Sequence, residues 1–271
     1  MGRGRAKPKR KTKPLLDLLT LQYRHHSRDE LYRLVMCGEI RVDGGTATDP
    51  QAAVAVDSEL SIVTRRFVSR GGEKLDAALE AWQIGVTGRR WLDAGASTGG
   101  FTDCLLQRGA ATVHAVDVGY NQLDYRLRTD SRVVVWERTN IGGITADELQ
   151  PPPDAAVCDL SFRSLRGVLR SILLLTRAGW GIALLKPQFE LAAEQRWNRP
   201  QDGGALDAGA GVVRGVHREA VINRVYQELA SSEGVVVHQH LDSPITGHGG
   251  NREVLLLVGL ADRLSWPDPP E

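Results

Sequence analysis

Residues 91–102 read Trp-Leu-Asp-Ala-Gly-Ala-Ser-Thr-Gly-Gly-Phe-Thr, an apolar run that passes into a loop of small residues. Such a stretch predicts a strand that turns tightly into a helix, because glycines let the backbone bend and approach a ligand closely. The spacing Asp-x-Gly-x-x-x-Gly differs from the Gly-x-Gly-x-x-Gly of dinucleotide-binding enzymes, and the Gly-Lys-Ser/Thr of ATP-binding loops is absent. Asp93 would attract a cationic amino group and repel a pyrophosphate. The stretch therefore predicts a site for a nucleoside that carries an amino acid.

From about residue 89 onward, apolar strands alternate with helical stretches, which is typical of a doubly wound α/β sheet. Strands are predicted at 91–94, 112–116, 133–136, 155–158, 181–185, 235–238 and 254–258, with helices at 165–176 and 218–232 among others. Residues 190–211 are irregular and rich in glycine, and they predict a long loop. We therefore expect an α/β, Rossmann-like domain with a seven-strand sheet.

A second carboxylate, Asp117, ends the strand at 112–116, in the position where such sheets bind ribose hydroxyls. Asn140, just after the third strand, is a further candidate for contact with an adenine. A glycine turn beside an incidental acid would explain either feature alone, but the two acids in register with the loop favour S-adenosylmethionine as the ligand. The predicted cofactor-binding residues are Asp93, Gly95, Ala96, Ser97, Thr98, Gly99, Gly100, Phe101, Asp117, Val118, Asn140 and Asp159.

Four charged residues lie at strand ends or just before the sheet: Lys74, Asp159, Lys186 and Glu253. The carboxyl ends of parallel strands line one crevice, so we expect these side chains to lie close together. A lysine can act as a general base when burial and a neighbouring cation lower its pKa, and Lys74 would have this effect on Lys186. Each residue alone would more often be a surface ion-pair member. Beside a cofactor loop, the four predict removal of a proton from a hydroxyl nucleophile.

The amino-terminal part of the chain is the more basic part. Residues 1–14 hold seven Lys/Arg and no acid, and residues 1–70 hold 14 Lys/Arg against 8 Asp/Glu. The remainder holds 20 against 25, an asymmetry expected of a nucleic-acid-anchoring module joined to an enzyme. A solvated tail that only aids solubility explains residues 1–14 equally well.

Residues 15–64 predict a compact α+β module. Ser27 would cap a helix that stops at Gly38, and a strand over 40–42 would turn at Asp43-Gly44. These residues, with the apolar stripe that runs from Leu31 to Val35, resemble the S-four RNA-binding domain. This resemblance implies that RNA contacts exposed arginines of the second helix and the turn. The predicted RNA-binding residues, including those of the following segment, are Arg28, Arg33, Arg41, Arg65, Arg66 and Arg70.

Six motifs resemble the TlyA family of ribosomal-RNA 2′-O-methyltransferases, long labelled hemolysins, which join an S-four domain to an FtsJ-like methyltransferase domain. The motifs lie at 69–75, 92–102, 117–120, 137–140, 159–162 and 186–190. The resemblance implies S-adenosyl-L-methionine as the cofactor and a catalytic tetrad of Lys74, Asp159, Lys186 and Glu253. It also implies methyl transfer to a cytidine 2′-hydroxyl in small-subunit or large-subunit ribosomal RNA, and a linker at 65–68 that couples RNA binding to cofactor binding.

The expected organisation is therefore a basic, disordered tail, an S-four domain, a linker, a methyltransferase domain and a carboxyl-terminal tail. These segments cover residues 1–14, 15–64, 65–68, 69–262 and 263–271. No apolar run approaches the roughly 18–20 residues that cross a bilayer, and the charged amino-terminal residues lack the apolar core of a secretory signal. The three cysteines are scattered and form no CxxC pair, which predicts neither a disulfide framework nor a zinc site. We expect a cytoplasmic monomer that binds ribosomal subunits, holds no metal and does not insert stably into membranes.

Three alternative functions are open at this stage. A base methyltransferase often carries Asn/Asp-Pro-Pro-aromatic after its fourth strand, whereas residues 159–162 read Asp-Leu-Ser-Phe, which favours a ribose target. A membrane-acting hemolysin would need an amphipathic or apolar inserting segment, and none is convincing. A non-catalytic ribosome-binding protein would not need the four charged residues of the predicted tetrad.

Overall fold

The computed structural model describes residues 10–36, 38–63, 66–197, 212–247 and 250–263. The chain divides into two compact units, residues 1–65 and 66–271. None of the helices within the described residues is both long and apolar enough to cross a bilayer.

The amino-terminal unit combines two helices with short antiparallel strands. Its helices are α1 (Leu15–Gln22) and α2 (Arg28–Met36), and its strands are β1 (Thr12–Pro14), β2 (Ile40–Val42), β3 (Gly45–Ala47), β4 (Ala53–Ala55) and β5 (Leu60–Ile62). β1 pairs with β4, and β2 lies between β3 and β5. Residues 12–14, which the sequence assigns to a disordered tail, thus form a strand instead, because β4 supplies hydrogen-bond partners for them. Residues 1–9 lie outside the described residues.

Local signals in the sequence place the second helix correctly. Ser27 Oγ accepts a hydrogen bond from the Glu30 N–H at 3.2 Å, which satisfies a donor at the helix start. Gly38 adopts a φ of +66°, a left-handed conformation that ends a helix and is easiest for glycine. The apolar faces of both helices then pack with β2, and Leu19, Leu31 and Ile40 are fully buried there.

The second unit is an α/β domain with one large sheet. Its strands are β6 (Arg90–Ala94), β7 (Thr112–Val116), β8 (Val133–Trp136), β9 (Ala155–Cys158), β10 (Trp180–Leu185), β11 (Val235–Asp242) and β12 (Val254–Leu260). Its helices are α3 (Arg70–Ala81), α4 (Gly100–Gln107), α5 (Tyr125–Arg128), α6 (Leu169–Leu174), α7 (Pro187–Trp197) and α8 (Gly215–Glu233). Among the described residues the sheet has seven strands in the order β11-β12-β10-β9-β6-β7-β8. The strands from β10 to β8 run parallel, and β12 is antiparallel to both β10 and β11.

Apolar clusters cover both faces of this sheet. Neighbouring residues of β6 point to opposite faces, so Trp91 packs in the cluster that includes Leu75 of α3, whereas Leu92 packs in the one that includes Leu229 of α8. Phe67, which the sequence assigns to a linker, belongs to the first cluster and is 3% exposed. The two faces confirm the predicted Rossmann-like class of domain.

The predicted loop at 190–211 is wrong for its first residues, which continue α7 as far as Trp197. Residues 190–196 are mostly good helix formers. In addition, Glu190 and Glu194 form buried ion pairs with Arg166, a residue outside the helix, and these tertiary contacts stabilise it. The glycines that suggested a loop begin only at 203, and residues 198–211 lie outside the described residues. The helix predicted at 165–176 is also shorter, since Gly167 has a φ of +76° and α6 begins only at Leu169.

Candidate active site

Four neighbouring strands bring charged residues to one edge of the sheet. Leu185 is the last residue of β10 to pair with β12, so Lys186 and Glu253 flank the end of that ladder. Asp159 follows β9, and its N–H donates to the carbonyl of Ala94, at the end of β6, at 3.0 Å. The topology therefore brings together three residues that were predicted from separate motifs, because the parallel strands β9 and β10 end where the antiparallel β12 begins.

Lys74 of α3 forms a buried ion pair with Glu253. Its Nζ lies 2.5 Å from Glu253 Oε2, and the side chains are 11% and 4% exposed. Charges removed this far from water are tolerated only when each compensates the other. Gly247 packs against the same carboxylate, and a Cβ at this position would overlap Glu253 Oε1. The pair is therefore enclosed on the side of Gly247 as well.

Lys186 forms the second ion pair, with Asp159. Its Nζ lies 2.5 Å from Asp159 Oδ1 and donates to Ser161 Oγ at 3.1 Å. The Lys186 side chain is 10% exposed, whereas that of Asp159 is 23% exposed. The tetrad predicted from sequence is thus present as two lysine–carboxylate pairs. The expected effect of Lys74 on Lys186 stays a prediction, and the ion-pair partner of Lys74 is Glu253.

Lysine is rare in this chain after its amino-terminal residues. Lys74 and Lys186 are the only lysines after Lys13, and all other basic side chains of that stretch, histidines aside, are arginines. Arginine is the usual choice for ion pairs, but its guanidinium stays protonated and cannot accept a proton. Lysines at these two positions therefore indicate chemistry that needs a compact or deprotonatable amine.

Asp93 holds an unsatisfied oxygen at the end of β6. The side chain is fully buried, Oδ2 accepts a hydrogen bond from Thr102 Oγ1 at 2.6 Å, and Oδ1 has no partner among the described residues. Burial raises the pKa of Asp93 to about 7, and repulsion by the Asp159 and Asp117 carboxylates adds to the effect. A buried acceptor without a donor is costly, and a ligand ammonium group would satisfy it.

Asp117 holds the loop of small residues between β6 and α4, called here the glycine loop, through hydrogen bonds. Its Oδ2 accepts the Ser97 N–H at 2.8 Å, and its Oδ1 accepts the Gly119 N–H at 2.7 Å. Gly95 packs so tightly that a Cβ there would lie 2.5 Å from the Asp159 carbonyl oxygen, and its φ of +87° also requires glycine. Together with the Asp93 oxygen, this narrow loop fits the amino-acid and ribose parts of S-adenosylmethionine.

The other predicted cofactor-binding residues differ in their exposure and in the parts of them that a ligand could contact. Gly99 and Gly100 form the start of α4, beside the exposed Ser97 and Thr98. Phe101 packs in the core, so only its backbone is available to a ligand. Ala96 is 7% exposed and Val118 is 72% exposed. Asn140 Oδ1 accepts the Gly142 N–H at 3.1 Å and caps a short 3₁₀ turn (Ile141–Gly143).

The predicted RNA-binding arginines occur in both units. Arg28 and Arg33 are exposed on α2, where Arg28 pairs with Asp17 at 2.9 Å, and Arg41 donates to the Gly38 carbonyl at 3.1 Å. In the second unit, Arg70 is exposed at the start of α3 and Arg66 pairs with Asp76. Arg65 lies outside the described residues.

Sequence reasoning missed two aromatic residues beside Lys186. Phe162 is 80% exposed, has a φ of +61° and packs against Phe189 with ring centroids 5.1 Å apart. Lys186 Nζ lies 5.8 Å from the Phe189 ring centre. A left-handed backbone at a bulky, exposed residue is uncommon and tends to occur at functional sites. The motif at 159–162 contained the only signal, an aromatic residue three positions after the site carboxylate.

The fold and this edge of the sheet place the chain among the S-adenosylmethionine-dependent methyltransferases. The model of the FtsJ-like methyltransferase family matches residues 67–260. The chain therefore belongs to the FtsJ-like methyltransferase family, in the group that contains the TlyA proteins. The predicted family, enzyme class and cofactor are confirmed, whereas the S-four domain stays a prediction.

Individual relatives resemble the chain over most of its length. A Mycobacterium tuberculosis protein named 16S/23S rRNA (cytidine-2′-O)-methyltransferase TlyA is 44% identical over 235 residues, which are 85% of this chain and 83% of the relative. Hemolysin A of Brachyspira hyodysenteriae is 35% identical over 84% of this chain and 92% of the relative. The solved structure of a candidate hemolysin from Streptococcus thermophilus is 32% identical with a TM-score of 0.65, and it covers 94% of this chain and 90% of that one.

Proposed function

We propose that this chain transfers a methyl group from S-adenosylmethionine to the ribose 2′-hydroxyl of a cytidine in ribosomal RNA. The observation that carries the proposal is the Lys186–Asp159 pair, which lies at the strand ends next to the unsatisfied Asp93 oxygen. The substrate class is supported by the M. tuberculosis relative, whose name specifies the cytidine 2′-oxygen of 16S and 23S ribosomal RNA.

The glycine loop and two carboxylates would hold the cofactor. Asp93 Oδ1 would accept a hydrogen bond from the ammonium group, and Asp117 has further lone pairs for ribose hydroxyls. When bound, the cofactor supplies an already activated methyl group, so the protein has mainly to bring the acceptor oxygen into line.

Lys186 would hold and then deprotonate the acceptor. In its neutral form, Nζ accepts the proton of the ribose hydroxyl as the new oxygen–carbon bond forms. The Asp159 carboxylate then stabilises the resulting ammonium, and Ser161 restricts where Nζ can lie. This assignment explains why a lysine stands here although, Lys74 and the histidines aside, every other basic residue after Lys13 is an arginine.

Lys74 would act without transferring a proton. Because Glu253 holds it in place, Lys74 presents a fixed positive charge near the acceptor, where a ribose or phosphate oxygen is expected. The exposed Phe162 ring offers a surface on which the base of a nucleotide turned out of its helix would stack.

The amino-terminal unit would anchor the RNA. Arg28 and Arg33 are exposed on one helix, as the S-four assignment requires, and phosphate contacts of this kind position an RNA without specifying its sequence. The proposal places a monomeric enzyme in the cytoplasm, bound to ribosomal subunits.

Labelled cofactor and unmodified ribosomal subunits test the proposal directly. The purified protein should introduce one 2′-O-methylcytidine, located by nuclease digestion and mass spectrometry. Lys186→Ala should abolish this product while cofactor binding, measured by calorimetry, persists. A base-methylated product, or full activity of Lys186→Ala, would contradict the proposed chemistry.

A further inference from the structure

Glu190, in the first turn of α7, forms hydrogen bonds to the loop that follows Asp159. Its carboxylate is 1% exposed, and it accepts hydrogen bonds from the Leu165 N–H at 2.8 Å, from Ser164 Oγ at 2.5 Å and from Arg166 Nε at 3.1 Å. One buried side chain therefore reaches three consecutive loop residues through both backbone and side-chain donors. Bonds of this kind to a charged acceptor are stronger than neutral ones.

The two partners of the proposed catalytic pair lie on the two segments that Glu190 joins. Asp159 begins the loop, and Lys186 immediately precedes α7. The Lys186 carbonyl accepts the N–H groups of Phe189 and Glu190 at 2.9 and 3.3 Å, so Lys186 and Glu190 belong to one turn. The loop, in turn, begins at Asp159 and exposes Phe162. The loop and this segment are thus joined by the Lys186–Asp159 pair, by the Phe162–Phe189 contact, by Glu190 and by the contact of Glu194 with Arg166.

The loop needs this restraint because its backbone is strained. Phe162 has a φ of +61°, a left-handed conformation that is unfavourable for a non-glycine residue and persists only where the surrounding structure imposes it. Ser164 lies two residues later and donates to Glu190, so the restraint acts close to the strained position.

We infer that Glu190 is a positioning residue for methyl transfer, which holds the loop so that Asp159 stays against Lys186 and Phe162 stays exposed. The inference rests on the proposed function for the reaction at this edge. Glu190 is too deeply buried to touch RNA, so it acts through the loop. Its loss should lower the rate of transfer far more than the cofactor affinity, because Asp159 is the one predicted cofactor-binding residue in this loop and the others lie outside it.

Glu190→Gln is the informative variant, with Glu194→Gln as its matched control. Glutamine keeps the size of Glu190 but directs an amide N–H₂ group toward donors of Ser164 or Arg166. Glu194 lies on the same helix, is 9% exposed and contacts Arg166 at 3.4 Å and Arg224 at 2.6 Å. Among the described residues it has no bond to 159–165, so the control removes a buried charge beside Arg166 without touching that part of the loop.

Two measurements read out the inference. Glu190→Gln should lower kcat by about 10- to 100-fold with a nearly unchanged cofactor Kd, since small misplacements of reacting groups have effects of this size. Glu194→Gln should stay within a few fold of wild type. Combining Glu190→Gln with Ser164→Ala should add little further loss, because residues that act through one contact are not additive.

Amide hydrogen exchange measures how readily the loop opens to solvent, and it needs no RNA substrate. Exchange at residues 160–167 should accelerate in Glu190→Gln and remain slow in Glu194→Gln. Equal kcat losses in both variants, or unchanged exchange in Glu190→Gln, would overturn the inference. Absence of RNA methylation by the wild type would refute the proposed function instead, and exchange would still decide whether Glu190 holds the loop.

Discussion

The two lysine–carboxylate pairs at the candidate active site have the same N–O distance, 2.5 Å, but different surroundings. Glu253 is 4% exposed and enclosed by Gly247, whereas Asp159 is 23% exposed and lies beside the exposed Phe162. The lysines themselves are equally buried, at 11% exposed for Lys74 and 10% for Lys186, so the two pairs differ in the access to their carboxylates. Equal geometry therefore does not imply an equal role, because an incoming molecule can reach the carboxylate of the second pair more easily than that of the first.

Arginine substitutions should separate the two roles most strongly. Lys186→Arg should lower kcat by about 10²- to 10⁴-fold, since an arginine keeps the charge but cannot accept the proton. Lys74→Arg should lose less, because only a fixed charge is required there. Initial rates of methyl transfer to ribosomal subunits, with cofactor Kd as the folding control, measure both. A larger loss for Lys74→Arg would reverse the assignment.

A methyl group added at Gly247 should separate Glu253 from Lys74. In Gly247→Ala the added Cβ would displace the Glu253 carboxylate from Lys74, and a shift of this kind should lower kcat by about 10- to 100-fold. Gly143→Ala is the matched control, since nothing lies within 4 Å of the Cβ position there and its φ is not left-handed. Wild-type rates in Gly247→Ala would show that the position of Glu253 is unimportant.

Asp93 extends the comparison to a carboxylate without a lysine. Burial raises the pKa of Asp93 to about 7, so the empty site holds the carboxyl group largely protonated in mild acid. An ammonium ligand prefers the ionised form, and cofactor affinity should therefore rise with pH up to about 7, by at most about tenfold per pH unit. Calorimetry from pH 5.5 to 8 measures this rise, and Asp93→Asn should bind weakly without it.

The same group has the opposite effect on folding. Its pKa is higher in the folded protein than the ordinary 3.8, so the folded state binds more protons between these values. The Asp93 contribution to the free energy of unfolding is therefore present below the ordinary pKa and is lost as pH rises toward about 7. Cofactor-free protein denatured in urea at several pH values would show this trend, and its persistence in Asp93→Asn would assign it to other groups.

Much of the active site was predictable because its residues lie in local signals. Asp93 precedes a glycine turn, Asp117 ends the next strand, and each position follows from the strand and loop pattern around it. The same local reasoning failed at 190–197, because the ion pairs that stabilise α7 come from Arg166, elsewhere in the chain.

The sequence by itself determined the Rossmann-like class, the glycine loop and which charged residues end strands, since alternation and turn chemistry are short-range properties. Only the tertiary structure decided which carboxylate each lysine contacts. Lys74 and Glu253 are 179 positions apart, and their contact depends on how α3 packs at the end of β12. The exposure of Phe162 and the burial of Glu190 were decided in the same way, because both depend on packing between the loop after β9 and α7, which no local pattern encodes.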